Sequence, residues 1–269
     1  EATGRGNMAG RFIASFTSMG KDAPIVDEVW RPKRLKGKGR LGASRLRSMG
    51  MLENGVLYRG TSTSSRPGLP ARQRNAKRAM DVVGASVLIA LLSPLFVGVA
   101  ALVFLLEGTP ILFRRRCLGC RGEFDAFKFR TMSRDADQVL QRDSSLRDAF
   151  HQNFKLKSDP RVTRLGGILR KFSLDELPQL VNVIRGEMSL VGPRMISPPE
   201  LEKYGEYRDL LLSVRPGMTG YWQVHGRQEV SYEERVRMDV EYVRNWTLGM
   251  DLRLLWLTPA RVIRGRGAY

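Results

Sequence analysis

One stretch dominates the hydrophobic pattern: Val82 to Leu106 reads VVGASVLIALLSPLFVGVAALVFLL, without a single charged residue. About 20 apolar residues suffice to cross a bilayer. A helix in a soluble core ordinarily keeps a polar face, and this stretch has none. It therefore predicts a membrane-inserted helix. Ser93-Pro94 sits near its middle, where proline removes an amide donor and bends the helix, and the serine hydroxyl can satisfy a freed carbonyl. Arg72, Arg74, Lys77 and Arg78 precede the run, and Arg114, Arg115 and Arg116 follow it. Basic flanks are retained on the cytoplasmic side. A re-entrant helix broken at Ser93-Pro94, entering and leaving by one face, satisfies both flanks; a kinked crossing helix is the alternative.

Weaker patterns follow. Alternation over Phe124–Met132 predicts a strand, and Asp135–Asn153 reads as a polar helix. Val162–Arg170 and Leu177–Ile184 read as short helices around a charged turn, and Pro199–Val214 as amphipathic. Ser231–Trp246 has helical spacing, and Leu252–Ile263 carries an apolar face of Leu252, Leu255, Trp256 and Val262. Trp246 and Trp256, beside Arg253 and Arg261, suit either the headgroup level or ordinary core packing. Residues 1–75 lack sustained periodicity and read as a basic, largely flexible arm, with a short element near Ala23–Trp30. The expected architecture is an α-rich α+β monotopic membrane protein with interfacial amphipathic helices and a small β-hairpin. Its parts are an arm over 1–75, the membrane helix over 76–110 and a cytoplasmic, membrane-associated catalytic domain over 111–269.

Charge adds a partner class. The 269 residues carry a net +18, and residues 1–80 hold 17 Lys and Arg against 5 Asp and Glu, so most of the excess lies in the first third. Such an excess suits nucleic acid or an anionic membrane surface. No nucleic-acid-binding module is recognisable, and the uncharged run favours the membrane. Cys117 and Cys120 form one Cys-x-x-Cys, with His151 and His225 distant in sequence. That excludes a disulfide-rich scaffold and signals a four-ligand zinc site only weakly.

Candidate chemistry centres on Arg170-Lys-Phe-Ser-Leu-Asp-Glu-Leu-Pro-Gln179, where Asp175 and Glu176 stand side by side among basic residues. Ser173-x-x-Glu176 fits a helix capping box. Alternatively, the paired carboxylates share a magnesium ion whose remaining ligands are water and phosphate oxygens, or Asp175 attacks phosphorus directly. Val191-Gly-Pro-Arg194 is a tight turn presenting an arginine. Arg215 to Arg227 is a glycine-punctuated loop with an arginine at either end; such arginines grip phosphate with paired bonds. Asp239-x-x-Tyr242 puts an acid and a phenol on one helix face. Neither a Walker loop nor a dinucleotide fingerprint occurs.

In order along the chain stand Lys77-Arg78-x-x-Asp81, Ser93-Pro94, Lys128-Phe-Arg-Thr-Met132, Asp159-Pro-Arg-Val-Thr163, Leu169-Arg-x-x-Ser-Leu-Asp-Glu-Leu-Pro-Gln179, Asn182-Val183, Gly186-Glu-Met-Ser189 and Val191-Gly-Pro-Arg194. Pro216-Gly-Met-Thr-Gly220, Trp222-Gln-Val224, Gly226-Arg227 and Asp239-x-x-Tyr242 complete the set. With these blocks the chain resembles the bacterial sugar transferases, the monotopic polyprenyl-phosphate phosphoglycosyl transferases. Its closing Asn245-Trp-x-Leu and Arg266-Gly-x-Tyr269 are similar to the exopolysaccharide-initiating members.

The resemblance implies transfer of hexose 1-phosphate from a UDP-hexose, galactose or glucose, to undecaprenyl phosphate with release of UMP, as the first membrane step of exopolysaccharide biosynthesis. It makes Asp175 the nucleophile and Glu176 the holder of Mg2+. Arg170, Lys128, Arg130, Arg194, Arg227 and Thr219 become substrate-binding residues. Ser93 and Pro94 become the break of a membrane helix that enters and leaves one leaflet, with the active site on the cytoplasmic face of the bacterial inner membrane. A second copy of the chain is a candidate partner; nucleic acid is not expected. The rival readings are a basic nucleic-acid-binding protein and an inactive membrane scaffold. Three departures from the family stand out: Met195 where it usually has proline, a hairpin at Gly119–Phe124 one residue short of the common spacing, and the basic arm before Lys77.

Overall fold

The computed structural model describes residues 71–154, 156, 158–225 and 231–264. The arm expected over 1–75 lies almost wholly outside the described residues, as do the short element near Ala23–Trp30, Arg227 and the closing Arg266-Gly-x-Tyr269.

Helix α1 (Ala71–Glu107) contains the uncharged run and is 37 residues long. By length and composition it is the one described helix able to cross a membrane. Helical structure continues through Pro94, and the Ser93 hydroxyl donates to the Ala90 carbonyl at 2.9 Å. Its polar partner inside the turn is the one expected beside a proline, although the helix is not divided in two there. Asp81, Ala85, Val99, Ala100 and Val103 are buried, whereas Val87, Leu91, Val97, Leu102, Phe104 and Leu105 stand exposed. Among the described residues one stripe of the uncharged run is covered, and a broad apolar face stays exposed.

Strands β1 (Leu112–Gly119) and β2 (Gly122–Phe129) form an antiparallel hairpin with Phe113 opposite Lys128 and Cys117 opposite Phe124. The strand expected over Phe124–Met132 thus starts earlier and stops at Phe129; Met132 forms an isolated bridge to Val162. The predicted polar helix Asp135–Asn153 is two helices, α2 (Ala136–Arg142) and α3 (Ser144–Asn153). Asp143 divides them because its side chain accepts from the Leu146 amide, capping a new helix. Helix α4 (Arg164–Lys171) is capped by Thr163 and followed by a 3-10 turn, Leu174–Glu176, and helix α5 (Gln179–Arg185).

The Ser173 capping box does not form: Ser173 is left-handed (φ 54) and its side chain makes no cap bond. Reciprocal capping occurs instead at Ser231 and Glu234, which start helix α8 below. The rest comprises β3 (Ser189–Val191), a 3-10 stretch Pro198–Tyr207 kinked at Gly205, α6 (Arg208–Leu212), β4 (Gly217–Thr219), α7 (Tyr221–His225), α8 (Tyr232–Arg244) and α9 (Leu248–Arg264).

Strands β3 and β4 pair in parallel. Their approach is close enough that a Cβ on Gly217 would lie 2.1 Å from the Gly192 nitrogen, so glycine is required there. On α9 Asp251 and Leu254 are buried, and Met250, Leu257 and Leu255 of the predicted face pack half-buried against the core. Leu252 and Trp256 of the predicted apolar face are exposed, Trp256 by 85%. That exposure fits an interfacial tryptophan. Trp246 differs: its indole N–H donates to Asp251 at 2.9 Å, so it is tied into the domain.

Candidate active site

The carboxylate pair is placed by the leucines around it. Leu174 and Leu177, on either side of Asp175-Glu176, pack against the cluster formed by Val99, Ala100 and Val103 of α1 with Phe129 and Leu169. Apolar burial therefore anchors the acidic turn directly on the membrane helix. From the hairpin, Lys128 Nζ lies 2.7 Å from Glu176 Oε1 and 3.6 Å from Asp175 Oδ2. From the β3 turn, Arg194 Nη2 reaches the same Glu176 Oε1 at 3.1 Å. Asn182 holds hairpin and helix together: it accepts from the Phe127 amide and donates to the Asp125 carbonyl. Arg170, fixed by donation from Nε to Thr131 Oγ1 at 2.9 Å, acts electrostatically on both Asp175 and Asp159.

These surroundings separate the two neighbouring carboxyls. Asp175 is 6% exposed. Burial pushes its carboxyl up from the ordinary value; Glu176 adds to that, while Lys128, Arg170 and Arg194 pull against it. Burial also opposes ionisation of Glu176, but Lys128 and Arg194, through charge and direct hydrogen bonds, outweigh it and hold this group well below the usual carboxylate range. The result is a Glu176 carboxylate clamped between two cations that favour its ionised form. Beside it stands an Asp175 carboxylate whose charge is less stabilised and therefore more reactive. Lys128, Arg170 and Arg194 form a basic rim that can receive phosphate oxygens.

Of the expected site residues, the structure brings together Asp175, Glu176, Lys128, Arg170 and Arg194. Arg130 is placed elsewhere: its Nη2 donates to the Glu107 and Gly108 carbonyls at 2.6 and 2.9 Å, closing the end of α1. The strand ends at Phe129, so the alternation that would align Arg130 with Lys128 is lost. Thr219 shares a hydrogen bond with Thr258 of α9 at 2.9 Å and is buried. Arg227 lies outside the described residues. Beside the site stands a cluster that spacing did not disclose. Arg115 Nη2 pairs with Glu200 Oε1 at 2.6 Å, and Arg235 lies over Trp222, the ring that Arg194 also approaches.

For a metal, no group of three or more His, Cys, Asp or Glu converges among the described residues. A protein-built cage is not what magnesium needs beside a phosphate ligand: one or two carboxylates suffice, water and phosphate oxygens completing its shell. Glu176, with both cations on Oε1, and Asp175 supply that limited donor set. The residues fit magnesium held in this way. Cys117 is buried and Cys120 half-buried, both as free thiols.

The bacterial sugar transferase family profile matches residues 72–265. The exopolysaccharide production protein ExoY of Rhizobium meliloti is 47% identical over 199 residues, covering 72% of this chain and 88% of that protein. The undecaprenyl-phosphate galactose phosphotransferase of Salmonella typhimurium is 43% identical over 201 residues, spanning 73% of this chain but 42% of that protein. The UDP-glucose:undecaprenyl-phosphate glucose-1-phosphate transferase of Escherichia coli is 36% identical over 205 residues, again 42% of its length.

Proposed function

Because the chain belongs to the bacterial sugar transferase family, we propose that it transfers hexose 1-phosphate from a UDP-hexose to undecaprenyl phosphate, releasing UMP. Galactose and glucose are the favoured hexoses, after the names of the Salmonella and Escherichia relatives. The observation that carries the reading is the buried Asp175 beside an ionised Glu176, inside a rim of Lys128, Arg170 and Arg194, on the flank of the membrane helix.

The Asp175 carboxylate attacks the phosphorus that bears the sugar. The bond from that phosphorus to the bridging oxygen breaks, UMP departs with the electron pair, and an aspartyl phospho-hexose remains. A phosphate oxygen of undecaprenyl phosphate then attacks the same phosphorus. The aspartyl oxygen leaves, which restores the carboxylate and forms the polyprenyl diphospho-hexose. Lys128 and Arg194 keep Glu176 from competing as the nucleophile, and with Arg170 they face the charge on the transferring group. Glu176, with Asp175 beside it, would hold magnesium, which when bound would supply charge neutralisation at the phosphates.

Attack requires ionised Asp175, so activity rises with pH through its raised pKa. We expect the acid limb of kcat/KM above the ordinary aspartate value of 3.8. Lys128→Met removes a cation that lowers this pKa, and should move the limb upward by about one pH unit or more. A pH–rate profile of both proteins checks this; an unmoved limb argues against Asp175 as the titrating group.

The same reading places the site on the cytoplasmic face of the inner membrane, where soluble UDP-hexose and lipid phosphate meet. Re-entry of α1 is supported by its flanks: Arg72, Arg74, Lys77 and Arg78 before the uncharged run and Arg114, Arg115 and Arg116 after it are all retained on one side only if the chain enters and leaves by the same face. Cysteines introduced near Gly10 and Ser144 should therefore label from the same side of sealed vesicles; labelling from opposite sides means a crossing helix. For the activity itself, purified protein with UDP-hexose and magnesium should release UMP with turnover only when undecaprenyl phosphate is added. No sustained UMP release with any UDP-hexose would overturn the assignment.

A further inference from the structure

Two sequence blocks have no part in the chemistry above: Lys77-Arg78-x-x-Asp81 at the start of the membrane helix and Asp239-x-x-Tyr242 on α8. In the fold, residues from both converge on strand β3. Asp81, fully buried, accepts through Oδ1 from the Ser189 hydroxyl at 2.9 Å and from the Leu190 amide at 3.0 Å. Lys77 Nζ donates to the Val191 carbonyl at 2.9 Å, and the Tyr242 hydroxyl lies 3.2 Å from the same oxygen. The groups are in turn held from behind. Lys77 Nζ pairs with buried Asp251 Oδ2 at 2.7 Å, and Tyr242 donates to Asp251 Oδ1 at 2.7 Å. Trp246 Nε1 donates to Oδ2 as well.

Every backbone and hydroxyl group of Ser189–Val191 caught in this way lies immediately before Gly192-Pro193-Arg194. The other side of that turn is closed by β4: the Gly192 amide donates to the Thr219 carbonyl at 2.9 Å, and the Gly217 amide to the Pro193 carbonyl at 2.7 Å. The turn has little freedom between the two, and its arginine ends on Glu176. Buried charge is expensive unless fully paired. Two carboxylates and one ammonium sunk under the end of the membrane helix are therefore a costly arrangement if α1 merely anchors the protein.

We infer that Lys77, Asp81 and Tyr242 are positioning residues which make the seating of the membrane helix set the place of Arg194. The path is contiguous: α1 through Lys77 and Asp81 to β3, then through the Gly-Pro-Arg turn to Glu176. Insertion of α1 and readiness of the phosphate-binding arginine are thereby one equilibrium, so lipid engagement and catalysis are coupled through the protein as well as by substrate location. This rests on the transferase reading for its kinetic consequence but not for the structural coupling.

The test uses the full chain in detergent or lipid nanodiscs and has two readouts. The first variant is Tyr242→Phe, which removes one hydroxyl and keeps the ring in the core; Lys77→Met is the harsher second. By hydrogen exchange, backbone amides of residues 189–196 should exchange at least about tenfold faster in Tyr242→Phe while those of the β1–β2 hairpin stay protected. No change at 189–196, or equal acceleration in both regions, overturns the coupling.

The second readout is a double-mutant cycle on kcat/KM. Tyr242→Phe should cost about ten- to a hundredfold with Arg194 present. With Arg194→Ala in place it should cost less than about twofold more. A merely structural role gives the same penalty in both backgrounds, and that additivity overturns the route through Arg194. Absence of UMP release in the unmutated protein would count against the transferase reading alone, since the exchange measurement is independent of it.

Discussion

Asp175→Asn should lower UMP release by about 10⁴-fold or more while leaving the fold intact. The carboxamide has nearly the shape of the carboxylate but no negative oxygen to attack phosphorus. Its effect on stability should run the other way. Burial disfavours the ionised form of Asp175, as does the neighbouring charge of Glu176. The folded protein therefore bears a cost for keeping this group charged at neutral pH, and asparagine removes it. Thermal unfolding should show a Tm equal to or above that of the unmutated chain, alongside nearly complete loss of turnover. Loss of activity with gain of stability is the signature of a residue kept for chemistry. Near-normal turnover in Asp175→Asn would rule out the covalent route.

The second large effect falls on stability. Arg115→Met leaves Glu200 buried without its closest cation, the Arg115 guanidinium 2.6 Å away. Arg235, at 3.9 Å, is a distant substitute. Removing one member of such a pair costs about 3 kcal/mol, because the remaining charge keeps its desolvation penalty. The pH dependence fixes the assignment. Burial opposes ionisation of Glu200, but Arg115, then Arg235 and the Ser197 hydrogen bonds, prevail and hold its pKa below the ordinary 4.5. In the unmutated chain this group therefore contributes stability that is complete above about pH 4.5 and is lost as pH falls through the lowered folded value. The variant lacks that contribution, so the stability gap between the two should be widest near neutrality and narrow below about pH 4.5. Denaturant unfolding across pH 3–7 reads it; a gap independent of pH would mean that Arg115 acts through packing.

What the sequence could disclose follows from which properties are local. The membrane helix was legible because its signal is continuous from Val82 to Leu106 and needs no partner. Asp175 and Glu176 were legible as a pair, since their adjacency is itself the feature, and Lys128, Arg170 and Arg194 through the blocks around them. The first hairpin strand was less so. Its Arg114-Arg115-Arg116 hides the alternation, because charges occur on both faces: Arg115 turns toward Glu200, and Arg116 toward Glu123 and Asp125.

Roles that depend on distant partners were not readable. Lys77 and Asp251 meet across most of the domain, Thr219 is paired with Thr258, and Arg130 closes α1. Residue type says nothing of such partners; they are set by where β2 ends, at Phe129, and by the pairing of β3 with β4. Trp246 and Trp256 divide similarly. Spacing treats them alike, but Asp251 claims the first indole, whereas the second stands exposed among the described residues.

The two-step exchange at Asp175 is tested most directly by mixing the full chain with UDP-hexose and magnesium in the absence of any lipid phosphate, then quenching rapidly and measuring intact mass and released UMP together. A burst of UMP up to about one per enzyme is expected, matched by a hexose-phosphate adduct that peptide mapping places on Asp175 and that disappears when undecaprenyl phosphate is added. If UMP appears only with acceptor present, and the protein never gains mass while turnover proceeds, the phosphoryl group passes straight from nucleotide to lipid and Asp175 is not the nucleophile.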